Sequence, residues 1–410
     1  MGKRQLAVLV LTFAAITLLY VKRTREESGE SLYDTLFTAS GTGFENDKNA
    51  KMIVSKPYKN DFCLTPNYWK ADAIYEDSIT YVVHSTMPFV DYLEKLVEVW
   101  DGPISLAVYV PAPDLRYSSR HFRNRLFLDA LSKLETLSVA KKSGKVSIHL
   151  LFDKDHHCGN LVYSESQLYK IDTYLEGVHE GEAHIPNYPC QVLRNIARFY
   201  MITTLFVASD IENIPSPRYV QRVLPLAKKM ILEKKEQVVL VHRRFELDLF
   251  QTVPRNKEEL KKLYYDGKAV EFHKEYYAAG HFIPYIDEWF NIPENFNKAT
   301  IFKYTNYSNG EWEPQFIGDN TKVPFYDENF PYPHRGQTEM AYETCRAGYK
   351  FAVLNDVYTL HMGIKRAPSR AEMLAFAKVD EFYWKTAETF RSDMDKVYPK
   401  TKAKCGFFKE

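Results

Sequence analysis

Apolar runs of strand length alternate along this chain with longer stretches in which apolar side chains recur every third or fourth position. Ser78 to His84 is a run of the first kind. Phe89 to Trp100 is one of the second, with Leu93, Leu96, Val97 and Trp100 on one face, and Asp101-Gly102-Pro103 ends it. Ile104 to Val110 predicts a second strand, Arg123 to Ala140 a helix and Val146 to Phe152 a third strand. This alternation predicts a doubly wound α/β domain. A helix over Cys190 to Thr203 then leads into a strand at Leu205 to Ser209, and further on come a strand at Gln237 to Val241 and a helix at Lys257 to Tyr265. An aromatic, loop-rich stretch follows from Tyr276 to Pro333, then a helix near Gln337 to Ala347 and a strand ending at Leu360-His361. Ser369 to Tyr398 reads as charged amphipathic helices with a solvated face. No internal repeat is present.

The N-terminal pattern differs. Gln5 to Val21 is apolar and uncharged, with Lys3-Arg4 before it and Lys22-Arg23 after it. At about 1.5 Å of rise per residue it is just long enough to span a thin bilayer. The basic cluster follows at once, without a small-x-small cleavage site, so an uncleaved signal anchor is favoured over a removed signal peptide. The expected organisation is a cytoplasmic tail over residues 1–4, a transmembrane anchor over 5–21, a flexible luminal stem over 22–60 and one catalytic domain over 61–410. That makes a single-pass type II membrane protein with its bulk in the lumen. Asn306-Tyr307-Ser308 is an N-glycosylation sequon compatible with a luminal loop.

Composition narrows the classes. With 410 residues, 45% hydrophobic, the chain is long enough for a large core. Lys and Arg total 54 against 53 Asp and Glu, so nothing in the balance asks for a nucleic-acid partner. The five cysteines show no C-x-x-C spacing, and their odd number leaves at least one thiol outside any intrachain disulfides. Tyr (29) and Phe (26) are abundant enough to furnish rings for a flat ligand such as a base or a sugar face. No G-x-S-x-G, P-loop or G-x-G-x-x-G motif is present, which removes the usual support for serine hydrolases, P-loop nucleotidases and dinucleotide-binding enzymes.

The strongest candidate chemistry is Asp210-Ile211-Glu212, at the carboxyl end of an apolar strand, where open α/β sheets place their ligand crevice. In an extended segment residues two apart point the same way, so both carboxylates could face one hard cation. The spacing alone is common, recurring at Asp153/Asp155, Glu246/Asp248, Glu311/Glu313 and Asp393/Asp395; the strand end distinguishes 210–212. His361 closes another apolar run and is followed by Gly363, where a small residue would let backbone approach a phosphate. Trp312-Glu313-Pro314 offers a ring for a sugar face beside a carboxylate that could accept a hydroxyl proton, or else a core ring beside a surface acid.

In one order these residues resemble glycosyltransferase family 49. The resemblance is carried by Trp100-Asp101-Gly102-Pro103-Ile104-Ser105-Leu106-Ala107, Tyr188-Pro189, Leu193-Arg194-Asn195-Ile196-Ala197, Ser209-Asp210-Ile211-Glu212, Asn256-Lys257-Glu258-Glu259-Leu260, Trp312-Glu313-Pro314, Tyr326-Asp327-Glu328-Asn329-Phe330, and Val353-Leu354-Asn355 with His361. It implies a GT-A type α/β fold (Rossmann-like, doubly wound mixed sheet), a Golgi membrane enzyme, a UDP-sugar donor and a glycan or glycoprotein acceptor. It also implies Mn²⁺, with Mg²⁺ as the alternative, held by Asp210, Glu212 and His361. Glu212 stands where the family carries aspartate, Gln191 replaces an asparagine after Tyr-Pro, and Pro331 to Gln337 departs from the family's glycine-rich segment.

The expected reaction is an inverting transfer, with glucuronic acid as the first choice of sugar. Glu313 is the expected base and Asp327 the second choice, while Asp210, His361, Gly363 and Arg194 bind the nucleotide. N-acetylglucosaminyl or xylosyl transfer, or an inactive glycan-binding homologue, are the alternatives. A homodimer is compatible with the sequence.

Overall fold

The structure is a computed structural model that describes residues 50–117, 122–155, 157–164, 168 and 188–408. The tail, the anchor segment 5–21 and the stem up to residue 49 lie outside the described residues. Among the described residues no helix is long and apolar enough to cross a membrane.

The strands, in chain order, are β1 (Ala50–Val54), β2 (Lys56–Tyr58), β3 (Phe62–Trp69), β4 (Ile79–Thr86), β5 (Ile104–Tyr109), β6 (Val146–Asp153) and β7 (Asn160–Ser164). After them come β8 (Leu205–Ala208), β9 (Ile214–Pro215), β10 (Val238–Leu247), β11 (Ala269–Glu271), β12 (Ile301–Thr305), β13 (Phe316–Asp319) and β14 (Lys350–Met362). The helices that matter below are α1 (Tyr92–Val99), α2 (Phe122–Thr136), α3 (Cys190–Phe199), α4 (Lys257–Tyr265), α5 (Ala278–His281), α6 (Gly336–Arg346) and α7 (Arg370–Val397).

One twelve-stranded sheet runs β12-β14-β10-β13-β8-β4-β5-β6-β3-β2, with β11 on β10 and β9 on β14. Strands β8, β4, β5 and β6 are parallel, as predicted from the strand-helix alternation, and β13 runs antiparallel to both β8 and β10. The parallel strands are almost wholly buried: β5 and β8 are nearly continuous apolar runs, as strands covered on both faces must be, and β4 adds polar residues only toward its carboxyl end and at Thr80. One core joins α1 and α2 to the parallel strands, and a second joins α3, α6 and α7 to the opposite face.

Two expectations need correction. The stem was expected to stay unpacked through residue 60, but β1 pairs with β7 and β2 with β3, so ordered pairing reaches back to Ala50. β1 is only five residues and β2 three, with Lys51, Lys56 and Pro57 among them, so neither holds an apolar run long enough to read as a strand. The C-terminal charged region is one helix, α7, opened by a capping box between Ser369 and Glu372.

Disulfides tie Cys63 to Cys158 and Cys345 to Cys405, and Cys190 is a free, buried thiol. The second bridge fixes the C-terminal segment to α6. Phe408 packs there on Tyr342 and Phe390, and Phe407 crosses Gly310 so closely that a Cβ at Gly310 would lie 1.8 Å from its carbonyl oxygen.

Candidate active site

The carboxyl ends of β4 and β8 open onto a cleft of about 720 Å³. β4 contributes His84, Ser85 and Thr86; the turn after β8 contributes Asp210, Ile211 and Glu212; α3 contributes Arg194 and β10 contributes Arg244. The facing wall carries Tyr277, Glu313 and the whole of Pro331 to Gln337, with Lys365 and Glu372 at the rim. The family-divergent segment therefore lines the cleft.

Asp210 is held between two cations. Arg244 Nη2 lies 3.1 Å from its Oδ2 and Arg194 Nη2 3.6 Å from its Oδ1. Arg244 is braced flat over Phe272, 3.6 Å from the ring centre, and Arg194 Nη1 donates to Gln191 Oε1 at 2.9 Å. Burial disfavours charge on Asp210, but Arg244 and Arg194 outweigh it and hold the carboxyl below its usual range. Glu212 moves the other way: burial, then the neighbouring Asp210 charge, push it up. The extended geometry expected for 210–212 is not what forms. Ser209 and Asp210 leave the strand, Ile211 and Glu212 make a turn, and the Asn213 N–H donates back to the Asp210 carbonyl at 3.2 Å.

His361 sits behind Glu212, with Nε2 3.9 Å from Glu212 Oε1, and edge-on to Phe272. Its Nδ1 faces the Gly363 carbonyl at 3.3 Å. A carbonyl only accepts, so this contact puts the proton on Nδ1 and turns the Nε2 lone pair toward Glu212. Burial keeps the imidazole neutral. Among the described residues, no three His, Cys, Asp or Glu side chains are gathered as a ready metal site. The donor chemistry nevertheless fits a hard divalent ion: two neighbouring half-buried carboxylates, one of them forced up in pKa, and an imidazole lone pair aimed at a carboxylate that offers it no proton while ionised.

Glu313 faces this wall across the cleft. Its backbone N–H donates to the Gly280 carbonyl at 2.7 Å and its Oε1 accepts from Thr338 Oγ1 at 2.7 Å. Burial raises its pKa, opposed by the Thr338 hydrogen bond and by Arg244, Arg194 and Arg335. A carboxylate raised in this way is a stronger proton acceptor once ionised.

Two expected sites fall elsewhere, and of the two readings open for Trp312 the core ring is the one that forms. Asp327 is not on the cleft: its Oδ1 accepts from the backbone N–H and the side-chain amide of Asn329, so it closes a turn. Gly363, in the left-handed region at φ +95°, is likewise off the cleft and acts through its carbonyl on His361. Trp312 is a core ring packed on Tyr307 and Phe351 and offers no face to a sugar. Asn306 is exposed just past β12, open to modification.

Sequence reasoning did not single out Arg244 and missed Thr338, His273 and His281. Adjacent arginines inside an otherwise apolar strand were the available signal for Arg244; the other three carry none.

The chain matches the profile described as "Glycosyl-transferase for dystroglycan" over residues 78–399. It is 27% identical to beta-1,4-glucuronyltransferase 1 of Danio rerio over 334 residues, covering 78% of this chain and 74% of that protein. It is 23% identical to the Mus musculus protein of the same name, covering 71% and 69%. Against xylosyl- and glucuronyltransferase LARGE1 of Gallus gallus the identity is 22%, over 84% of this chain but 40% of that longer protein. Among solved structures, GalNAc-T7 with UDP, GalNAc and Mn²⁺ overlaps 80% of this chain and 51% of its own at 10% identity and a TM-score of 0.35, too loose an overlap to argue from. The profile match covers well over half of the chain and the full span from β4 to α7, and on it this chain belongs to the dystroglycan glycosyltransferase family, family 49, as an enzyme of sugar transfer.

Proposed function

We propose that this enzyme transfers glucuronic acid from UDP-glucuronate to a hydroxyl of a glycan or glycoprotein acceptor, with inversion at the anomeric carbon. The observation that carries the reading is that one cleft is lined both by an acid-arginine cluster (Asp210, Glu212, Arg194, Arg244) and by the half-buried carboxylate Glu313, which is hydrogen-bonded to Thr338 rather than to an arginine. The choice of sugar is supported by the names of the Danio rerio and Mus musculus relatives.

Glu313 takes the proton of the acceptor hydroxyl as that oxygen bonds to the anomeric carbon, and the bond to UDP breaks on the opposite face. Arg194 and Arg244 meet the charge gathering on the leaving diphosphate, at the expense of their hold on Asp210. Asp210, Glu212 and His361 would hold Mn²⁺ or Mg²⁺, which would supply further neutralisation of the diphosphate. Golgi residence as a type II membrane protein is supported by the apolar segment 5–21 and by two disulfides, which persist in oxidising compartments.

The test is titration of UDP into the purified chain with and without Mn²⁺, followed by UDP release from a panel of UDP-sugars. Manganese-dependent binding with UDP-glucuronate as the active donor is expected. Glu313→Gln should keep the UDP affinity and lose about 10²–10⁴-fold in turnover. Absence of UDP binding under either condition would turn the reading toward a glycan-binding protein.

A further inference from the structure

We propose that Thr338 is a positioning residue for the transfer, setting both the aim and the working pH of Glu313; this rests on Glu313 being the base. Thr338 is fully buried in the first turn of α6, immediately after the cleft-lining segment Pro331 to Gln337. Its hydroxyl is the one direct hydrogen-bond donor to the Glu313 carboxylate among the described residues. The nearby cations are engaged elsewhere, Arg194 and Arg244 with Asp210 and Arg335 with Glu311.

Glu313 is thus fixed from two separate elements, its backbone by the Gly280 carbonyl of α5 and its Oε1 by α6. With Oε1 so engaged, Oε2 is the oxygen left to receive a proton from the cleft. A hydroxyl donating to a carboxylate favours the ionised form, so the same bond keeps the base available at lower pH than its burial alone would permit. The charged and titratable groups facing Glu313 are Arg194 on α3, Arg244 on β10, Arg335 before α6, Tyr276 and Tyr277 before α5, Tyr307 after β12 and Tyr383 on α7. None of them replaces the lost donor, because none hydrogen-bonds the carboxylate.

The experiment is a pH profile of kcat/KM for UDP release from UDP-glucuronate, or from whichever UDP-sugar the wild-type chain turns over. It is read for Thr338→Val, Thr338→Ala and Thr338→Ser alongside UDP titration. Without the hydroxyl the neutral acid is favoured, so the acid limb should move to higher pH by about one unit. That is a roughly tenfold loss below the limb, with the alkaline plateau within about threefold of wild type. UDP affinity should be unchanged, and Thr338→Ser should restore the wild-type limb. An unmoved limb in Thr338→Ala, an equal loss at every pH, or a serine variant that fails to restore the limb would each overturn the proposal. Full turnover in Glu313→Gln would instead remove the base assignment beneath it, and no turnover of any UDP-sugar by the wild type would remove the transferase reading.

Discussion

Glu246 is the clearest case of a residue whose setting, not its type, fixes its chemistry. It is fully buried on β10, accepts from the Lys365 N–H at 3.2 Å, and faces His273 Nε2 at 3.6 Å. Burial raises its pKa to about 7, while burial also lowers that of His273 to about 3, so the imidazole supplies no compensating charge near neutrality. The folded carboxyl holds its proton where the unfolded one has lost it, so this residue costs stability as pH rises from the ordinary glutamate range through 7. Glu246→Gln keeps the acceptor for Lys365 and removes that cost. Denaturant unfolding should show a gain of about 1–3 kcal/mol above pH 7 that fades as pH falls and is gone near pH 3. Nothing in the sequence separates Glu246/Asp248 from Asp210/Glu212 as acid-x-acid pairs except the expected strand end at 210–212, and the structure shows that only the latter pair lines the cleft, β10 itself running on to Leu247. His361 and Glu313 were legible only as residue types, one after an apolar run and one beside an aromatic; the roles proposed for them rest on the geometry around them. The place of Asp327 was not, because a turn-closing aspartate and a catalytic one look alike in a linear string.

At the scale of elements, α6 begins where it touches α3. A Cβ at Gly336 would lie 1.4 Å from Gln191 Nε2, and Gln191 in turn orients Arg194. The end of a glutamine side chain can yield, so Gly336→Ala should cost only about 1–3 kcal/mol in thermal or denaturant unfolding. The displaced amide would release Arg194, and calorimetric titration should show UDP affinity reduced about tenfold. Strand and helix positions were legible to within a few residues where burial was nearly continuous, as in β4, β5 and β6, and in α4, where Asn256 caps a helix-forming run. β10 runs on to Leu247 well past its apolar start because Arg243 is satisfied inside by the Ile283 and Pro284 carbonyls and Arg244 by Asp210. Charges that find buried partners erase the apolar signal of the strand that carries them.

Over the whole molecule, the sheet supplies the cleft floor and long loops supply its far wall, so the wall depends on what pins those loops. The Cys345–Cys405 bridge closes a loop spanning 60 positions, for which the chain-entropy argument gives about 4 kcal/mol. Cys405→Ser should therefore lower the unfolding free energy by about 2–4 kcal/mol, measured by denaturant titration at fixed pH. The pattern of alternation made the α/β class legible. The partnership of distant cysteines was not, because pairing depends on which loops the fold brings together.

The close crossing of Phe407 over Gly310 makes the bridge matter to chemistry as well as to folding, since Gly310 lies three positions before Glu313. Protein produced in a reducing cytosol would carry the right sequence and much of the right sheet with the loop that carries Glu313 unsupported. A blank assay on such material would report on the host's thiol chemistry rather than on the enzyme, so activity is properly judged only on protein folded under oxidising conditions with both bridges verified.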